Sequence, residues 1–224
     1  VRLLKGAPFE KRLVTRLYEG ITVQPLYMKQ DWATEADASG LPGQAPMTRG
    51  STALPQGSGW QVRQRFAHPD VDATAKQIAR ELERGVDAVC LSLCGCVQEG
   101  NAPCAASKEG LVLDSLAELE RALGTTDLSK VPVVLDAGAS FFGAAATLIA
   151  LWKKRGVSPA AASGNLGADP FSALAGRGAL LGSAQDALSQ VAALAQWTKQ
   201  NAPNVRAVRV STAVYAEAGA TAVQ

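Results

Sequence analysis

The chain runs to 224 residues, 47% of them hydrophobic and 19% charged, with 22 Lys and Arg against 20 Asp and Glu and a formal charge of +2. That is the make-up of an ordinary globular protein long enough to bury a substantial core, and it excludes collagen-like and disordered chains. It gives no sign of a polyanion-binding chain either, because the basic residues occur singly or in short clusters such as Lys153, Lys154 and Arg155 rather than as a stripe.

The longest uncharged run, 137–152, is interrupted by Gly138, Ser140 and Gly143 and reads as a buried helix. It falls short of the roughly 18 apolar residues a membrane span needs. The N-terminal residues carry Lys5, Glu10, Lys11 and Arg12 without a long apolar core, so no secretory pattern is expected. Cysteines at 90, 94, 96 and 104 suit a reducing compartment better than a disulfide scaffold, and a cytoplasmic location is the expectation.

In chain order, residues 18–27 (YEGITVQPLY) alternate like a strand and end at a Pro-Leu-Tyr turn. Residues 32–59 are rich in Gly, Pro, Ser, Thr and Gln without a sustained period, which predicts an irregular arm or linker. From Asp70 the pattern becomes regular. Val71, Ala75, Ile78, Ala79 and Leu82 mark one face of a helix that Asp70 caps and Gly85 stops. An apolar strand is expected at 88–93, a helix at 115–123 closed by Gly124, a strand at 131–135 and a helix at 140–154 stopped by Gly156. A weaker strand near 159–162, a helix at 183–199 and a strand at 205–210 complete the series. Strands alternating with amphipathic helices predict an α/β fold with a parallel sheet, and the four strands counted fall short of the eight that close a barrel. The expected division is an arm and linker over 1–68 and a partial (β/α) barrel over 69–224.

His68 is the sole histidine, which rules out any site built from several imidazoles, and its place before Pro69 favours a loop role. The C-x3-C-x-C spacing of Cys90, Cys94 and Cys96 does not match the paired knuckles of structural zinc. Cys90 is in phase with the strand, leaving Cys94 and Cys96 at its end as candidate thiols. The segment 163–171 (SGNLGADPF) is open to two readings: glycines cradling an anion, or a turn in which Asp169 caps a helix begun by Pro170. Asp136, closing VPVVLD, is a candidate acid or base at the sheet's C-terminal edge, or else a cap for loop amides.

Five segments together resemble the N-terminal half of the methylmalonyl-CoA mutase family: TRLYEGITVQPLY at 15–27, PGQAPMTRG at 42–50, WQVRQRF at 60–66, GNLGADPF at 164–171 and EAGATAVQ at 217–224. They are collinear and cover nearly the whole chain. The resemblance implies the N-terminal half of a (β/α)8 TIM-type barrel, about four βα units, preceded by an extended arm. In that family the barrel is threaded by the CoA tail and joined to a C-terminal cobalamin domain, and a catalytic chain often pairs with a related small chain that has lost its active site.

The departures from the catalytic pattern point to the small chain. Where catalytic members carry a substrate-facing tyrosine after the tryptophan motif, this sequence has Arg65. Where they carry a Tyr-His pair before E-A-G-A, it has Ala213 and Val214. The tyrosine-containing CoA segment is replaced by STALPQGSG at 51–59, and no D-x-H-x-x-G motif is present. The resemblance therefore implies a non-catalytic small subunit acting as scaffold for a catalytic large subunit in a heterodimer. No catalytic, cofactor-binding or metal residue is assigned to this chain, and adenosylcobalamin is expected on the partner. Two alternatives are a free-standing α/β CoA-binding or enzymatic domain using Asp136, Cys94 or the 164–167 turn, and a degenerate barrel in which Arg63 or Arg65 contacts a CoA phosphate. A half-barrel leaves a sheet edge uncovered and is also expected to aggregate, pair with itself or close its sheet in a non-family way.

Overall fold

The computed structural model describes residues 4–32, 39–50, 53, 60–102 and 107–221. The chain divides into two compact units, one of Val1–Trp60 with Gly219–Gln224 and one of Gln61–Ala218. The first unit holds a short helix α1 (Phe9–Leu13) and a two-residue-per-strand hairpin, β1 (Thr15–Arg16) against β2 (Thr22–Val23), antiparallel with Thr15 opposite Val23. Its turn is closed by Leu17 N–H donating to Ile21 O at 2.9 Å. Tyr18, expected to begin an extended run, lies in that turn, and none of the described residues in this unit is buried. Of the irregular stretch expected at 32–59, residues 39–50 form successive tight turns, while 33–38, 51–52 and 54–59 lie outside the described residues.

The second unit is an α/β layer. Five parallel strands, β3 (Arg63–Phe66), β4 (Ala88–Ser92), β5 (Val133–Asp136), β6 (Gly164–Ala168) and β7 (Val205–Val208), lie side by side in strict chain order. Between and after them run α2 (Val71–Glu83), α3 (Gly95–Gln98), α4 (Leu116–Leu123), α5 (Phe141–Lys154), α6 (Pro170–Arg177), α7 (Ala184–Asn201) and α8 (Ala213–Glu217). A doubly wound sheet reverses its strand order at a switch point. Sequential order without reversal is instead consistent with part of a (β/α) barrel.

Alternation along the strands separates two faces. Phe66, Val89, Leu91, Val133, Leu135, Val205 and Ala207 join Ile78, Leu119, Leu123, Leu148, Leu151 and Leu194 of the helices in one buried cluster. Arg63, Arg65, Cys90, Ser92, Val134, Asp136, Arg206 and Val208 occupy the alternate positions. The helices begin where side chains can satisfy their free N–H groups. Asp70 accepts from Ala73 N–H at 2.7 Å ahead of α2, and Ser115 accepts from Glu118 N–H at 3.3 Å ahead of α4. Ahead of α7, Ser183 and Asp186 cap one another's backbone N–H groups at 3.0 and 3.2 Å. The Ser183 hydroxyl, donating to Asp186 Oδ2 at 2.6 Å, and then the Ser183 N–H lower the Asp186 carboxyl from its ordinary value.

Two strands differ from the expectation. β3 lies ahead of the first strand expected, and the fourth strand falls at Gly164–Ala168 rather than near 159–162. The GNLGA segment is a strand because its glycines let backbones approach. A Cβ at Gly164 would stand 1.8 Å from the Val133 carbonyl oxygen, and one at Gly167 2.3 Å from that of Leu135. Among the described residues no helix is long and apolar enough to cross a membrane.

Candidate functional site

The C-terminal ends of the strands open onto a cleft of about 730 Å³, the edge at which barrel and open-sheet proteins place their chemistry. Asp136, the last residue of β5, is its most connected group. The β4–β5 register sets Ser92 opposite Asp136, and Ser92 Oγ donates to Asp136 Oδ2 at 3.2 Å. Arg209, one residue beyond β7, donates from Nη1 to Asp136 Oδ1. Arg65 of β3 holds its Nε 3.9 Å from Oδ2 and donates from Nη2 to Ser92 Oγ at 2.7 Å. The free side of the Arg65 guanidinium meets Glu109 Oε1 at 3.2 Å. The Asp136 carboxylate of β5 thus ties together side chains from β3, β4 and the residue after β7.

Farther along the edge, Arg177 at the end of α6 donates to Glu99 Oε1 at 2.7 Å and to Gln98 Oε1 at 3.2 Å, linking the loops after β6 and β4. Asp169 is committed to backbone: it caps α6 through Ser172 N–H at 3.1 Å and accepts from Ser211 N–H at 2.7 Å. Of the two readings of 163–171, the helix cap with Pro170 at the first position is the one found. The segment's glycines serve sheet contact, and the Gly167 N–H is bonded to Asn165 Oδ1 at 2.8 Å.

Among the described cysteines, neither Cys90 nor Cys94 is set up as an activated thiol. Cys90 lies beside Arg65 in the β3–β4 register, and burial, followed by the charge of Asp136, pushes its thiol up from the ordinary value against the opposing pull of Arg209, Arg63 and Arg65. Cys94 is fully buried where α3 begins, its N–H bonded to Leu111 O at 3.0 Å. Cys96 is disulfide-bonded, which departs from the expectation of four reduced cysteines. Cys104 lies outside the described residues. His68 is a turn residue, with Nδ1 accepting from Asp70 N–H at 3.1 Å and its carbonyl accepting from Thr74 Oγ1 at 3.1 Å.

The two positions at which the sequence departs from the catalytic pattern, Arg65 and Val214, line the same cleft. Val214 sits on α8, and Gly176 of α6 makes room for it: a Cβ there would stand 3.0 Å from Val214 Cγ1. Arg209, Glu109 and Arg177, which complete the cleft's ion pairs, belong to no motif in the sequence. The signal available for Arg209 was a second arginine in VRAVRV, a run otherwise apolar enough for the core. Of the 51–59 segment only position 53 is among the described residues.

Residues 16–224 match the family described as methylmalonyl-CoA mutase. The methylmalonyl-CoA mutase small subunit of Streptomyces virginiae is 38% identical across 99% of this chain and 32% of its own length. The small subunit of Propionibacterium freudenreichii subsp. shermanii is 30% identical across 94% of this chain and 29% of its own. A methylmalonyl-CoA mutase of Cereibacter sphaeroides is 26% identical across 92% of this chain and 30% of its own. The chain therefore spans about a third of the length of the curated relatives it matches.

Proposed function

The chain belongs to the methylmalonyl-CoA mutase family, and from that membership we propose that it is part of a non-catalytic small subunit that serves as scaffold for a catalytic large subunit. The proposed complex is a cytoplasmic heterodimer whose large subunit carries adenosylcobalamin and interconverts methylmalonyl-CoA and succinyl-CoA. Within it, this chain supplies an N-terminal arm and part of a (β/α)8 barrel.

The observation that carries the reading is the convergence of Arg65 and Val214 in one cleft. Catalysis needs groups that bind the transition state more tightly than the substrate. At the two places where the resemblance puts a substrate-facing tyrosine and a histidine on the thioester carbonyl, this cleft offers a guanidinium already engaged by Glu109 and Ser92, and an aliphatic side chain with nothing to donate.

The residues present do not fit cobalamin. The chain's one histidine, His68, accepts the Asp70 N–H at Nδ1, which puts the neutral ring's proton on Nε2 and leaves neither nitrogen a lone pair for an axial bond. The alternative of a free-standing CoA-binding or enzymatic domain draws little from its own candidates, since Asp136 is ion-paired, Cys94 is buried and the 164–167 glycines pack on β5.

The test is to mix the purified chain with adenosylcobalamin and methylmalonyl-CoA, and separately with the catalytic large subunit. No succinyl-CoA and stable co-elution with the large subunit are expected. Turnover by this chain alone, or failure to co-elute, overturns the proposal.

A further inference from the structure

Asp136 holds its carboxylate between two guanidinium groups that reach it from β3 and β7, on opposite sides of β5. Arg209 Nη1 donates to Oδ1, Arg65 Nε lies 3.9 Å from Oδ2, and Ser92 Oγ donates to Oδ2 at 3.2 Å. Two convergent arginines and a hydroxyl are the donor set that binds a phosphate or carboxylate oxyanion. Here the anion in the middle belongs to the chain itself.

We propose that Asp136 is an internal counter-ion filling a latent oxyanion site, formed by Arg65, Arg209 and Ser92 at the mouth of the cleft, whose ligand class is a small inorganic oxyanion. The site is within reach of solvent, because the Arg65 side chain keeps 54% of its accessible surface and that of Arg209 31%. An incoming anion meets the charge of Asp136 at the centre and that of Glu109 at the rim, 3.2 Å from Arg65 Nη1. Like charges a few ångströms apart repel strongly enough to dominate such a balance. The cleft is therefore closed to anions by its own carboxylates, a property separate from its lack of catalytic groups and independent of what the chain assembles with.

Removing the carboxylate should open the site. Calorimetric titration of the full chain with inorganic phosphate is expected to show no saturable binding up to about 10 mM for the native sequence and, in Asp136→Asn, binding at least about tenfold tighter than that limit. The double variant D136N/R209Q should return to native behaviour. Binding by the native chain equal to that of D136N, or a folded D136N that binds no phosphate, overturns the proposal. Should D136N fail to fold, Asp136→Ser decides the matter: it also removes the central carboxylate while keeping a small polar side chain, and should bind phosphate more tightly than the native chain, so no gain counts against the site. Turnover is not read in any arm, so the outcome does not depend on the small-subunit reading.

Discussion

Cys90 shows how a single side chain on the polar face of the sheet links structure to pH. Its thiol is pushed above the ordinary 9.0 by burial first and then by the charge of Asp136. The folded chain therefore keeps this proton to higher pH than the unfolded chain does, and in that window it binds more protons. Stability then falls as pH rises. The contribution is fully present below about pH 9 and is lost as pH climbs from there towards the folded value. Comparing urea midpoints of the native chain and Cys90→Ala isolates it from the lysines and tyrosines that titrate nearby. The gap between the two proteins should be constant from pH 6 to about pH 8 and narrow above pH 9, and a gap that widens on the alkaline side would contradict the assignment.

At the scale of elements, the end of α4 is fastened to the end of α5 by one arginine. Half-buried Arg155 donates from Nη2 to the carbonyls of Glu120 at 2.9 Å and Gly124 at 2.8 Å, and from Nη1 to that of Thr126 at 3.3 Å. A cation here also meets the negative end of the α4 dipole. Arg155→Met keeps the stem and its packing but leaves these carbonyls without their donor, and should cost ~2 kcal/mol in urea unfolding. A change within about 0.5 kcal/mol would mean that water replaces the guanidinium without loss. The caps and apolar faces that define α2, α4, α5 and α7 were legible because they are local, repeating at helical spacing within one segment. The runs that became β4, β5 and β7 were legible because their cluster-facing positions are apolar. β3 was not, since RQRF places two arginines on the face away from the helices and only Phe66 in the buried cluster. β6 was hidden for the opposite reason: its glycines, read as a turn, are there because β5 leaves no room for a Cβ. Asp136 stood out at a strand end, whereas Arg209, 73 residues away, becomes its partner only through strand order.

For the molecule as a whole, the open question is what lies against the far side of β7. Among the described residues no strand pairs with that edge. Val208 on that strand is 46% exposed and Val210 just beyond it 82%, both apolar. Natural sheets guard such edges with lysine, proline or a covering segment, because an unguarded strand is a template for pairing. β7 has no lysine or proline in Val205–Val208, and a single exposed charge, Arg206, guards it. In the proposed barrel the next strand of the longer subunit would cover the edge. In this chain by itself the edge should recruit another copy, giving sedimentation above the monomer mass at about 50 μM, with Val208→Lys shifting the population towards monomer by placing a charge where a paired strand must approach. A chain that stays monomeric at that concentration, or a lysine variant that associates as readily as the native one, would show that β7 is closed by some contact other than a strand.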